Sequence, residues 1–174
     1  MALFEKLFAW ERHAMRLYRL ADRCYRAGHV DAAFAVSGLS RLLTGIEIEP
    51  GAELAADVRI LHGAGTVIGS GVRVGSGSVI FHQVTLGRAA RPMDEDGYPT
   101  IGRGAYVYAG AKVVGPITVG DGARVAAGAV VTRDVPDRAI VAGMPARIIS
   151  WVGADGKPSK QPPAVPDRHS VEGA

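Results

Sequence analysis

Aliphatic residues recur every six positions along most of this 174-residue chain, and this period constrains the fold more than any other feature of the sequence. The period slips by two residues before Ile68 and is interrupted by an insertion, residues 88–100, before Ile101. A small or β-branched residue stands four positions after each aliphatic one. The twelve aliphatic positions are Ile48, Leu54, Ile60, Ile68, Val74, Ile80, Ile101, Val107, Val113, Val119, Val125 and Val131.

A hexapeptide period is typical of a parallel β-helix, in which each hexad supplies one short strand and one turn. The aliphatic side chain of each hexad points inward, and a glycine or another small residue lets the chain turn the corner. Three hexads complete one coil, and stacked coils bury an aliphatic column that no single coil can bury alone. We therefore predict a mainly β protein, with a β-helix of about four coils over residues 45–151 and a loop at residues 88–100.

The two ends of the chain lack the six-residue period. Near the N-terminus, apolar residues recur every three or four positions, the spacing of an α-helix, at Leu7, Trp10, Ala14, Leu17, Ala21 and Cys24. Gly28 is expected to end this helix, and Asp31 to begin a second one that continues to Leu43. We predict a helical cap over residues 1–44. Residues 152–174 are polar, rich in proline and without periodicity, which predicts a disordered tail.

Composition excludes several classes of protein. The 20 Lys and Arg residues against 17 Asp and Glu leave a net charge of +3, too small and too dispersed for a nucleic-acid-binding surface. No apolar run approaches the roughly 18 residues of a membrane span, and the N-terminal segment carries Glu5 and Glu11, unlike a signal peptide. The single cysteine, Cys24, excludes an internal disulfide and is expected to pack inside the cap. We expect a cytoplasmic protein that binds neither nucleic acid nor membrane.

The hexads and their flanking motifs resemble those of the serine acetyltransferases, which are acyltransferases built on a left-handed parallel β-helix. The resemblance covers residues 42–150 and includes LLTGIEIEPGAEL, GTVIGSGVRVG, QVTLG, GAKVVGPITVGDGARVAAGAVV and the closing motif VPDRAIVAGMPARII. It implies a left-handed helix. This hand comes from the resemblance alone, because the general rule for parallel connections is right-handed. It also implies a homotrimer with an active site in each cleft between chains, and acetyl-CoA as co-substrate.

The resemblance assigns two catalytic residues. His62, in LHGAG, matches the family's catalytic histidine, and Glu47, in IEIEP, matches its aspartate partner. Acyl transfer to a hydroxyl needs a base, a group that orients the base, and donors for the oxyanion. Glu47 stands 15 residues before His62, a little less than one coil, so the resemblance implies that its carboxylate orients the imidazole as in hydrolase triads.

Three departures from the family's motifs fall on the acceptor side. Leu61 replaces an acid, Gly97-Tyr98 replaces an arginine–histidine pair, and Arg88 replaces a glycine. These changes remove ionic partners for a free amino acid, so free serine is not the expected acceptor. The candidate acceptor-binding residues are Leu61, His82, Arg88 and Tyr98. The insertion acids Asp94, Glu95 and Asp96 are an alternative partner for a cationic acceptor.

The acetyl donor is expected to lie in a groove between coils. The resemblance implies that its pantetheine arm pairs with backbone groups near Gly110, Ala111, Ala127 and Gly128. The candidate cations for its phosphates are Lys112, Arg133 and Arg147. No metal is expected, because the zinc carbonic anhydrases built on this helix need three histidine ligands and the hexads contain only His62 and His82.

The leading hypothesis is therefore an acetyl-CoA-dependent O-acetyltransferase that resembles serine acetyltransferase. Two alternatives remain open: an acetyltransferase for a sugar, an amine or a natural-product precursor, and a non-catalytic trimeric scaffold subunit. The family's complex with cysteine synthase is not expected, because it relies on a C-terminal isoleucine and this chain ends in Glu172-Gly173-Ala174.

Overall fold

Two α-helices precede a β-helix in the computed structural model, which describes residues 10–89 and 97–162. Helix α1 spans Trp10–Arg26 and helix α2 spans Val30–Thr44. Gly28 and Gly45 follow the two helices with positive φ angles, the backbone conformation that commonly ends a helix at glycine. The second helix is one residue longer at each end than the sequence predicts, and the predicted start at Leu7 lies outside the described residues.

Short strands with mostly parallel pairing build the β-helix. Sheet A contains β1, β4, β7, β10 and β13, sheet B contains β2, β5, β8 and β11, and sheet C begins with β3, β6, β9 and β12. The predicted β-helix of about four coils is confirmed. The strands are β1 Glu47–Ile48, β2 Glu53–Leu54, β3 Arg59–Leu61, β4 Val67–Ile68, β5 Arg73–Val74, β6 Val79–Phe81, β7 Thr85–Gly87, β8 Thr100–Ile101, β9 Tyr106–Val107, β10 Lys112–Val114, β11 Thr118–Val119, β12 Arg124–Val125 and β13 Val130–Val131.

The predicted aliphatic positions stack in register along the three sheets. In sheet A, for example, Ile48 pairs with Ile68, and Val113 pairs with Val131. Eleven of the twelve predicted positions are buried, whereas Leu54 is half-buried at the rim of the first coil. Stacking of this kind removes most of the apolar surface of each coil from water, which is the main driving force for folding.

Leu86 is a further member of the series that the sequence prediction missed. It lies six residues after Ile80, is fully buried, and pairs with Ile68 on one side and Val113 on the other. The insertion therefore lies between β7 and β8, inside the third coil, rather than between complete coils. The repeat does not reveal Leu86 because the chain leaves the β-helix directly after Gly87, before the next aliphatic position of the series.

The two-residue slip between Ile60 and Ile68 is absorbed at one corner of the first coil. Thr66 is fully buried and its Oγ1 donates a hydrogen bond of 2.9 Å to the carbonyl oxygen of Phe81, whereas Ala64 is exposed. Thr66 therefore takes the inward corner position that the regular period would assign to Ala64. The extra residues form a projecting turn between sheets C and A.

The chain reverses direction after strand β14, Ala139–Gly143, which pairs in parallel with β12. Strand β15, Ala146–Val152, and strand β16, Pro158–Ser159, then add to sheet C in antiparallel pairs. Residues 152–162, which the sequence assigns to a disordered tail, instead complete this extension. Composition did not indicate it, because an exposed edge needs no run of apolar residues. The remainder of the predicted tail lies outside the described residues.

Helix α1 closes the N-terminal end of the aliphatic column. Ala14, Tyr18 and Ala21 are its buried face. The Tyr18 hydroxyl donates to the carbonyl oxygen of Ala52 at 2.6 Å and accepts from the amide of Leu54 at 3.4 Å, and burial raises the pKa of Tyr18. Among the described residues, neither helix is long and apolar enough to cross a membrane.

Candidate active site

His62 lies directly after β3, at the corner where sheet C turns into sheet A. Its φ angle is 53°, in the left-handed region that residues other than glycine seldom adopt. The strand register aligns His62 with His82, Ala109 and Ala127 on the following coils, and none of these three has a positive φ. The same conformation recurs at the next corner at Gln83, whose φ angle is 55°, so backbone strain is a feature of this side of the β-helix and is not confined to His62. The side chain is exposed.

The turn after His62 is held in place by its packing on the core. A Cβ atom at position 63 would lie 2.5 Å from Cγ2 of Ile60 and 2.6 Å from Cδ1 of Ile46, so only glycine fits there without displacing core side chains. Gly65 has a φ angle of 75° and its amide donates to the carbonyl oxygen of Gly45 at 2.7 Å. The position of the imidazole therefore depends on the packing of the first coil.

The N-terminal part of α1 reaches the same corner. Glu11 Oε1 accepts a hydrogen bond from the backbone amide of His62 at 3.1 Å, and Arg19 Nη2 donates to the carbonyl oxygen of Ala56 at 2.6 Å. These contacts show that α1 runs antiparallel to β3. Between them lies a cavity of about 490 Å³, which we call the cap groove; it is lined by Glu11, Arg12, Met15, Arg16, Arg19, Val58, Arg59, Ile60, Leu61 and His62.

Glu47 is not hydrogen-bonded to His62 in this structure. It begins β1 in sheet A, and its carboxylate lies 3.4 Å from Nη1 of Arg41. Across residues 10–89 and 97–162, the carboxylate that contacts the His62 residue is that of Glu11, through the backbone. Sequence reasoning missed Glu11 because it lies 51 residues from His62, on a helix whose docking position the repeat does not specify.

His82 occupies the corner one coil further along. Its carbonyl oxygen accepts a hydrogen bond from the amide of Gly110 at 2.9 Å. Its Nδ1 atom is buried and has no hydrogen-bond partner within the described part of the chain. A buried imidazole nitrogen without a partner is an unusual feature of a folded chain.

The other two acceptor candidates lie at a different corner. Tyr98 covers Gly69 and Gly71 where sheet A turns into sheet B, and a Cβ atom at either glycine would overlap its ring. Ser70 Oγ donates to the Tyr98 hydroxyl at 3.4 Å. Arg88 packs beside Gly97 at the base of the insertion. Within one chain, neither side chain lines the cap groove with Leu61 and His62. Asp94, Glu95 and Asp96 lie outside the described residues.

The candidate donor-binding residues fall into two groups. Gly110, Ala111, Ala127 and Gly128 continue the corner column of His62, and the amides of Gly110, Ala111 and Gly128 already donate to carbonyl oxygens of the β-helix. A donor molecule would therefore have to use other backbone groups of this corner. The Lys112 ammonium is also engaged, because its Nζ donates to the carbonyl oxygen of Gln83 at 2.9 Å.

Arg133 and Arg147 line one groove near the C-terminal end of the β-helix, a cavity of about 280 Å³. The fold thus brings together two of the three cations that the sequence analysis suggested for phosphates, although they are 14 positions apart in the sequence. Among the described residues, no group of three or more His, Cys, Asp or Glu side chains is placed to hold a metal ion.

Arginines concentrate on one face of α1. They stand at positions 12, 16, 19, 23 and 26, which fall within an arc of about 80° at 3.6 residues per turn. Three of them line the cap groove together with Arg59, and Glu11 is the one acid among the described residues of that lining. The sequence expectation that positive charge is dispersed is therefore wrong for this helix. The i, i+4, i+7 spacing was visible in the sequence, but the net charge of +3 concealed it.

Comparison with known proteins identifies the family. A model of bacterial transferase hexapeptide repeats (six repeats) matches residues 98–133. The serine acetyltransferase of Helicobacter pylori strain J99 is 41% identical over 138 residues, which are 79% of this chain and 80% of that protein. The chain belongs to the serine acetyltransferase family.

Other members of the family are longer than this chain. The serine acetyltransferases of Bacillus subtilis and Mycobacterium tuberculosis are 39% and 41% identical over 137 residues, but the chain spans only 63% and 59% of their lengths. The crystal structure of the Brucella abortus enzyme superposes with a TM-score of 0.81 at 37% identity, over 84% of this chain and 59% of that one. The Vibrio cholerae enzyme gives 0.82 at 33% identity, over 86% and 57%.

The packing around the His62 turn yields a stability prediction. Gly63→Ala should lower the free energy of unfolding by about 1–3 kcal/mol, because the added methyl overpacks the contact with Ile60 and Ile46. Gly87→Ala is the matched control, since its Cβ would meet nothing closer than 3.6 Å and should cost about 1 kcal/mol or less. Urea denaturation measures both variants. Equal stabilities would contradict the assigned packing of the turn.

Proposed function

We propose that this chain is an acetyl-CoA-dependent O-acetyltransferase in which His62 is the general base. The observation that carries the proposal is the placement of His62. The histidine at the family's catalytic position is held in a left-handed turn by Gly63 packing and by Glu11, at the end of the cap groove. A base positioned in this way next to a cavity is what acetyl transfer to a hydroxyl requires.

The chemistry follows from this placement. The imidazole of His62 takes the proton of the acceptor hydroxyl as its oxygen attacks the carbonyl carbon of the acetyl thioester. The tetrahedral species collapses with cleavage of the carbon–sulfur bond, and the imidazolium returns its proton to the thiolate of coenzyme A. The products are the acetyl ester and free coenzyme A. Hydrogen-bond donors close to the thioester carbonyl would stabilise the oxyanion.

Glu47 is the proposed partner of the imidazolium. Its carboxylate is half-buried at the start of β1, and the ion pair with Arg41 is long at 3.4 Å and largely exposed on the arginine side. Exposed pairs of this kind contribute little, about 0–1 kcal/mol, so exchange of Arg41 for the imidazolium is energetically accessible. Glu47→Gln should then lower turnover less than loss of His62 itself.

The donor phosphates are proposed to bind Arg133 and Arg147. The two guanidinium groups line the same groove, and Arg147 is exposed with one Nη1 bond to the carbonyl oxygen of Ala146. Arginine is suited to phosphate because its planar fork makes paired hydrogen bonds. The exposed Ala127 and Gly128 corner would take the pantetheine arm through backbone groups that the β-helix leaves open.

Replacement of His62 tests the catalytic assignment. His62→Ala should lower the rate of acetyl transfer by about 100-fold or more, the usual contribution of a positioned general base. The dissociation constant for coenzyme A should be unchanged, because the proposed phosphate site lies elsewhere. His82→Ala is measured alongside as the competing assignment on the same corner column, and a smaller loss is expected there because His82 is a candidate for acceptor binding and not for proton transfer. Near-wild-type turnover in His62→Ala, with loss in His82→Ala, would transfer the role to His82.

We further propose that the active form is a homotrimer whose clefts bring parts of two chains together. The separation of Tyr98 from His62 within one chain supports this arrangement, because a cleft between two chains would bring the Tyr98 corner of one chain to the His62 corner of the other. Light scattering should give three times the 18.2 kDa mass of one chain. A fully active monomer would contradict both the assembly and the shared cleft.

The lining of the cap groove predicts that free L-serine is a poor acceptor. Leu61 offers no charge to an ammonium group, and the carboxylate of Glu11 is engaged by the His62 amide. We expect kcat/KM for L-serine to be at least about tenfold below that of the true acceptor, a loss of about 1.4 kcal/mol of transition-state binding. Steady-state release of the coenzyme A thiol measures this across serine, sugars and amines.

Replacing Leu61 by an acid, the residue type that the family has at this position, tests directly whether the missing charge limits the use of L-serine. Leu61→Asp should raise kcat/KM for L-serine by returning a partner for its ammonium group, and Leu61→Asn, of similar size but neutral, should not. A millimolar KM with several turnovers per second for L-serine in the wild-type protein would refute the prediction. Absence of thiol release with every acceptor would favour the scaffold alternative.

A further inference from the structure

Among the residues that the structure describes, arginines outnumber acids in the lining of the cap groove. We infer that the acceptor carries an oxyanion, a carboxylate or a phosphate, which Arg16 and Arg59 bind while its hydroxyl lies at His62. This inference rests on the proposed acetyl transfer at His62 and adds the chemical class of the acceptor. It is carried by the two opposite walls of the groove and by the contacts of Arg16, Arg19 and Arg59.

Each of the two walls has one arginine without an ion-pair partner among the described residues. Arg16 lies on α1 and Arg59 on β3, both are exposed, and neither has an ion-pair partner in the part of the chain that the structure describes. Arg19 differs from them, because its Nη2 is bound to the carbonyl oxygen of Ala56. Arg16 and Arg59 are therefore the groups available to a ligand.

The charge balance of the groove favours an anion. Besides Arg12, three arginines line it, Arg16, Arg19 and Arg59, and the carboxylate of Glu11 is the only acidic group among the described lining residues. Like charges that share a cavity repel one another, and the attraction of each guanidinium to a bound oxyanion offsets that repulsion. Guanidinium groups suit this role because they present paired donors that match the oxygens of a carboxylate or a phosphate.

The spacing of Arg16 and Arg59 from His62 suits one small molecule that contacts both the imidazole and the two guanidinium groups. Arg59 precedes His62 by three residues, about 10 Å along a strand, and Arg16 follows Glu11 by about 7.5 Å of helix rise. An arginine side chain is long enough to cover much of either distance. A volume of about 490 Å³ lies within the usual range for small-molecule sites.

Part of the groove lining is apolar. Met15 and Leu61 are half-buried and belong to the same lining as the arginines and His62. A neutral carbon framework would pack against these two side chains, with the oxyanion at one end and the hydroxyl at the other. The groove thus favours a hydroxy acid or a phosphate ester over a zwitterion, because Glu11 is the one described carboxylate there for an ammonium group and it already accepts the hydrogen bond of the His62 amide.

A matched set of three-carbon probes tests the inference. Glycerol, glycerate and glycerol 3-phosphate share the hydroxyl framework and differ in having no anion, a carboxylate or a phosphate. Calorimetry at constant ionic strength measures the binding of each to the wild-type protein, to Arg16→Gln/Arg59→Gln, and to Arg23→Gln. Arg23 is the control because it belongs to the same arginine face of α1 but does not line the cap groove. Release of coenzyme A thiol is measured in parallel.

At least one anionic probe should bind about tenfold or more tightly than glycerol, and the double variant should lose that advantage while Arg23→Gln keeps it. The tighter of glycerate and glycerol 3-phosphate identifies the oxyanion. If the double variant fails to fold by circular dichroism, the single variants are compared in the same way. Equal affinity for all three probes, no measurable anion binding, or unchanged binding in the variants would overturn the inference.

The two readouts separate this inference from the proposed function. Binding that depends on Arg16 and Arg59 without thiol release for any acceptor would leave an anion site and refute acetyl transfer. Thiol release with glycerol as good as with either anion would support acetyl transfer and refute the anionic acceptor.

Discussion

One inward-pointing aliphatic side chain per strand holds the coils of this β-helix in register. The residues of the column, such as Ile68, Leu86 and Val113, contact the coils above and below, and each strand satisfies its backbone groups with the neighbouring coil. A shift of one residue would turn every column residue outward, so the register is strongly specified. Every outward side chain, and every corner, is therefore placed by the packing of this column.

The His62 corner shows how a site arises from an irregularity in such a regular structure. Two extra residues between Ile60 and Ile68 cannot be accommodated in the column, so they project as a turn. The turn then places one non-glycine residue, His62, in the left-handed region, and its strain is offset by the packing of Gly63 and by the hydrogen bond to Glu11. The same slip that interrupts the repeat thus produces the candidate catalytic position.

The helical cap contributes both to stability and to the site. Tyr18 and Ser37 bind backbone carbonyls of the first coil, which closes the column against water. On the opposite face of α1, three of the five arginines, at positions 12, 16 and 19, line the cap groove along β3. Since β3 is the edge strand of sheet C, the helix supplies the second wall that a β-helix alone does not have. The proposed anion site uses one arginine from each wall, Arg16 of the cap and Arg59 of β3.

The sequence alone determined the architecture, because a period of six specifies which residues turn inward whatever lies at the ends. It also singled out His62, through a motif that is local to one turn. It did not show that Leu86 continues the column, because the insertion interrupts the pattern directly after strand β7, which ends at Gly87. It did not place Glu11, Arg16 and Arg59 around His62, since that arrangement depends on the docking of a helix about 50 residues away. Only the tertiary structure decides which charges meet at a corner, because the packing of α1 on the first coil has no period in the sequence.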